Sequence, residues 1–126
     1  MNLEQARRAV TDLETRLAEQ RVAMAAAEAA LTSAAGEWGS LDLDDAKAVT
    51  DLERRQQDGE RTARRAATIL AELETRLQNA RDVLASADHA ERMAELERLQ
   101  SQEAAAMARL WKAARTVGEA GAEVRA

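Results

Sequence analysis

Taken in alternating steps of three and four, the stretch from Val49 to Ala87 reads Val49, Leu52, Gln56, Gly59, Ala63, Ala66, Leu70, Leu73, Leu77, Ala80, Leu84 and Ala87. An unbroken heptad seam of this kind, with a at Val49 and d at Leu52, requires a long helix. Its stripe is too narrow to bury itself in a globular core, so the helix needs another laid against it.

The chain supplies that partner. Leu3, Ala6, Val10, Leu13, Leu17, Gln20, Met24, Ala27, Leu31, Ala34 and Trp38 step by the same three and four. Between the seams stands Gly36-Glu37-Trp38-Gly39-Ser40, whose residues favour leaving a helix. The first helix is therefore expected over about 2–35, opened by an Asn2/Gln5 capping box, and the second over about 42–86. Ser40 or Asp42 would cap the second, with Asp44 and Asp45 in its first turn, where the helix dipole favours negative charge.

Two seams joined by so short a loop must run antiparallel. In such a pair a positions face d positions, so facing residue numbers share a constant total. A total of 83 sets Leu3 against Ala80, Ala6 against Leu77, Val10 against Leu73, Leu13 against Leu70, Leu17 against Ala66, Met24 against Gly59, Leu31 against Leu52 and Ala34 against Val49. Large residues then mostly meet small ones, as close packing wants. Gln20 and Gln56 fall opposite Ala63 and Ala27, where there is room for a polar side chain.

Beyond Ala87 the seam fails, and the apolar residues are Met93, Leu96, Met107, Leu110, Ala114 and Val117. Two readings follow. A third helix over about 88–117 turns back, capped by the D-x-x-E box of Asp88 and Glu91, or the second helix continues as one rod of about 75 residues with a phase slip. The box favours the turn, and Gly118 with Gly121 would end the helix. The expected fold is all-α: an antiparallel coiled-coil hairpin with a third helix, folded back or continuous with the second.

Composition fits a thin elongated core. No proline interrupts the chain, and its only aromatics are two Trp. The net charge of −5, from 18 basic and 23 acidic residues, is spread evenly from end to end. A nucleic acid or an anionic membrane has no strong field to attract it. The absence of cysteine removes disulfides and leaves the redox compartment open. With no signal-peptide core and no run of about 18 apolar residues, the expected location is the cytoplasm, or the interior of a phage particle.

Chemistry is not expected. His89 is the lone histidine, and Asp88 and Glu91 beside it are what a helix start already requires, rather than ligands converging on a metal. Acidic pairs such as Glu72 with Glu74 lie on solvated faces with no cleft to tune them. Neither a phosphate loop nor a Ser/His/Asp set can be composed from these residues. No cofactor, metal or small-molecule substrate is implied, and the chain reads as a non-enzyme.

Three features could instead touch a partner. Arg54, Arg55, Arg61, Arg64 and Arg65 form a dense cationic cluster, but at f, g, f, b and c positions they wrap around the helix rather than aligning along a phosphate backbone. They read as a solvated face or as ion pairs across to the first helix. Trp38, held between two glycines, caps the end layer of the seam or stands as an exposed anchor, and Trp111 is the better candidate for a partner contact. The alanine-rich Val22–Ala35 stretch is either helix-forming filler or a surface permitting close approach.

A W-x-G turn between two helices marks a family of small secreted hairpins. Trp38-Gly39-Ser40 resembles it over about five residues but has Ser where that pattern has Gly, so no family is assigned. The functional expectation is a non-catalytic coiled-coil scaffold, spacer or adaptor for protein–protein assembly, as in a phage or bacterial machine, working on a protein partner or by self-association. The alternative is a small acidic helical inhibitor or regulator docking on an enzyme or nucleoprotein, with Trp111 and the arginine cluster as its contacts.

Overall fold

In the computed structural model, which describes residues 1–125, the chain forms two helices, α1 over Leu3–Trp38 and α2 over Ala46–Arg125. Among the described residues there is no strand. The chain divides into two units, Met1–Leu84 and Ala85–Ala126, and α2 contributes to both.

The first unit is a hairpin in which α1 packs antiparallel on the Ala46–Leu84 part of α2. Asn2 opens α1 as expected: its side chain accepts from the Gln5 N–H at 2.8 Å, and Gln5 Oε1 accepts from the Asn2 N–H at 3.1 Å. Every seam residue of both helices in this unit is buried or half-buried, and nearly everything off the seams is exposed. The buried set is small: Ala6, Val10, Leu17, Ala27 and Ala34 on α1, with Leu52, Ala66, Leu73 and Leu77 on α2. No side chain polar atom is buried without a partner among the described residues.

The register differs from the one expected. Leu31 lies over Gly59, close enough that a Cβ there would come within 3.0 Å of Leu31 Cδ2. Trp38 meets Gln56, Glu37 meets Arg55, and Glu14 meets Arg81. These contacts fit a seam total of 90, not 83, a slide of one heptad or about 10 Å along the axis. Both totals set a opposite d, so periodicity alone cannot separate them. Size can. The observed register draws Val10, Leu17, Leu73 and Leu77 into one cluster, with Leu13, Leu70 and Leu84 packed on it, and it lets Leu31 use the space above Gly59.

The connection differs too. α1 runs past the expected end near Ala35, and Gly36 is simply helical. No glycine among the described residues takes a positive φ, and Gly39 closes α1 in the right-handed region with φ −67°. The extra turn carries Trp38 onto α2. At the other end Asp45, rather than Ser40 or Asp42, caps α2, its Oδ1 accepting from the Ala48 N–H at 3.1 Å. Asp42 is engaged in the loop, where its carboxylate takes the Asp44 N–H at 3.0 Å. The Asp42 to Asp45 turn therefore precedes the helix instead of forming its first turn.

In the second unit the expected turn at 86–88 is absent, and no separate third helix forms over 88–117. α2 passes through both positions. The Asp88 carboxylate, expected as a cap, pairs with Arg92 one turn along at 3.0 Å. With neither Gly nor Pro between Gly59 and Gly118, nothing forces the backbone out of the helix. Gly118 and Gly121, expected to end it, are also helical.

Candidate functional site

The loop end of the hairpin joins two of the candidate contacts singled out by sequence, Trp38 and Arg55, to the facing helix. Trp38, on the last turn of α1, is half-buried, and its indole Nε1 donates to Gln56 Oε1 at 3.0 Å. One residue earlier Glu37 takes a hydrogen bond from Arg55 at 2.5 Å. That hydrogen bond first, and the carboxylate's charge second, hold the Arg55 guanidinium above its ordinary range. Trp38 and Arg55 are thus joined to the opposite helix. Level with Trp38 in the observed register stands Leu52, only 2% exposed, so this tryptophan belongs to the end layer of the hairpin.

Sequence reasoning missed Gln56 and Glu37 as the partners here. A total of 83 places Gln56 opposite Ala27; the heptad slide brings it opposite Ala34, one turn from Trp38, whose indole it then meets.

Arg54, Arg61, Arg64 and Arg65 lie on the outside of α2, exposed, and their side chains make no ion pair among the described residues. Of the five arginines only Arg55 crosses to α1. The alanine-rich face of α1 and the neighbouring turn of α2 leave a shallow groove lined by Ala23, Ala26, Ala30, Gly59 and Thr62. Most of its walls are small side chains, and Arg55 and Asp58 also line it.

The second unit is of a different kind. From His89 to Gly121 every residue is exposed, including Met93, Leu96, Leu99, Met107, Leu110 and Val117. Trp111 is 70% exposed among them. Leu99 was not among the apolar positions singled out by sequence, although its spacing of three from Leu96 was the available signal. Acidic and basic side chains here pair along the helix, as Arg98 does with Glu95. Among the described residues no three His, Cys, Asp or Glu side chains gather where they could hold a metal ion. What this arrangement can do is bind, through apolar side chains in a charged surround.

No helix among the described residues is long and apolar enough to cross a membrane. A scan against protein-family models and searches of curated proteins and of solved structures find no match to this chain.

Proposed function

We propose that the chain is a non-catalytic scaffold, spacer or adaptor whose helices form coiled-coil contacts, one set within the chain and another with a protein partner. One observation carries the reading. Met93, Leu96, Leu110 and Val117 recur at coiled-coil spacing on α2, yet each is more than 40% exposed. A helix that presents a periodic apolar face to water is suited to receive another helix on it.

Affinity capture with the full chain tests this. The expected result is a partner, or a second copy, that is recovered by the natural chain and lost on Leu110→Glu. A chain that stays monomeric and captures nothing would count against it.

A second reading, a helical inhibitor or regulator docking on an enzyme or nucleoprotein, draws on the exposure of Trp111 and the four unpaired arginines. It expects Trp111→Ala, or Arg61→Ala with Arg64→Ala, to abolish inhibition while helicity stays intact. Unchanged inhibition would remove it.

A further inference from the structure

Between Met93 and Leu110 the exposed face of the second unit has an internal symmetry that points to its occupant. In steps of three and four from Met93 it reads Met93, Leu96, Gln100, Glu103, Met107 and Leu110. The order is two apolar residues, two polar, two apolar, a pattern unchanged when the segment is reversed about its middle between Ser101 and Gln102. Charge behaves differently on reversal. On the N-terminal side of that middle, residues 86–101 hold four acidic side chains (Asp88, Glu91, Glu95, Glu97) and two basic (Arg92, Arg98), a net −2. On the C-terminal side, residues 102–117 hold Arg109, Lys112 and Arg115 against one acid, Glu103, a net +2. The even charge of the chain as a whole conceals this division.

Resting on the adaptor reading, we infer that this face pairs with the same face of a second copy, antiparallel. In that alignment Met93 of one copy faces Leu110 of the other, Leu96 faces Met107, and Gln100 faces Glu103, whose carboxylate can accept from the Gln100 amide. Each contact occurs twice. The acidic half of each helix lies along the basic half of its mate, with most of the charges on outer positions, where they choose the orientation more than they add affinity. The parallel in-register alternative sets Glu103 against Glu103, two carboxylates sharing one partly desolvated layer, and lays acidic half along acidic half. A partner of unrelated sequence would require no such reversal symmetry, and an antiparallel second copy does.

The test uses the full chain, which has no native cysteine. Sedimentation equilibrium should show a dimer, and Leu96→Glu with Leu110→Glu should raise its dissociation constant at least about tenfold without loss of helicity. Both side chains are exposed, so folding of the hairpin is not at stake. Orientation is read from Met93→Cys and Leu110→Cys, prepared as separate single variants and treated with a short bis-maleimide. Those positions are about 25 Å apart along the helix, so the antiparallel pair cross-links efficiently only when the two variants are mixed. Cross-linking of either variant by itself would show a parallel pair and overturn the inference. So would a monomer, or a dimer indifferent to both glutamates. A monomer that still captures another protein through Leu110 would overturn the self-pairing while leaving the adaptor reading in place.

Discussion

One helix carries two apolar stripes with opposite fates. Between Ala46 and Leu84, α2 keeps Leu52, Ala66, Leu73 and Leu77 buried under α1. Between His89 and Gly121 it keeps nothing buried, although Met93, Leu96, Met107 and Leu110 follow the same spacing. Helix propensity and hydrophobic period therefore decide which side chains share a face, not whether that face is covered. Cover requires a complementary stretch, and the chain encodes one for the first region in Leu3–Trp38.

The largest effect should separate the two regions directly. Leu73→Ala removes a side chain that is 7% exposed from the central cluster, and should cost about 2–4 kcal/mol in urea unfolding followed by circular dichroism. Leu110→Ala, at a site 63% exposed, should change the same unfolding curve of the monomer by less than about 0.5 kcal/mol. Equal losses would erase the distinction between the regions.

Gly59→Leu sharpens the account of how α1 covers α2. It places four carbons where Leu31 already sits, so a loss of about 1–3 kcal/mol is expected despite leucine's better helix propensity. A stabilised variant would mean that Leu31 does not pack there. Asp45→Ala should cost about 1 kcal/mol by removing the cap of α2, whereas Ser40→Ala should leave the thermal midpoint nearly unchanged. The smallest effect belongs to Glu37→Gln. Its bond to Arg55 lies at the surface, and the thermal midpoint should not move measurably.

Much of the hairpin was legible. The two seams named its buried residues because a heptad period converts directly into a helix face, and the Asn2/Gln5 box was readable because capping is local. What failed was non-local or competitive. Register slipped by one heptad because the period repeats every seven residues, leaving only the fit of Leu31 over Gly59 and the leucine cluster to choose. Ser40 and Asp42 offered themselves as caps of α2, but the role fell to Asp45, whose carboxylate reaches the Ala48 N–H after the loop has turned. Asp88 and Glu91 spell a capping box, but a carboxylate also pairs readily with an arginine four residues on, and a backbone with no breaker keeps its helix. Of the candidate contacts, Trp38 and Arg55 are joined to the facing helix, one as an end layer of the seam and one as an ion pair across to α1, which were among the readings offered. Their partners Gln56 and Glu37 were not, because the extra turn of α1 and the register were missed. Trp111 is exposed.

The pairing of α1 with α2 is tested most directly by nuclear Overhauser contacts to the α-protons of Gly59, which lie on the packed face with no side chain to screen them. Cross-peaks to the Leu31 methyls are predicted, together with one from the Trp38 indole N–H to the Gln56 side chain. Cross-peaks from Gly59 to Met24 instead, or to no residue of α1, would contradict the register and the cover it provides.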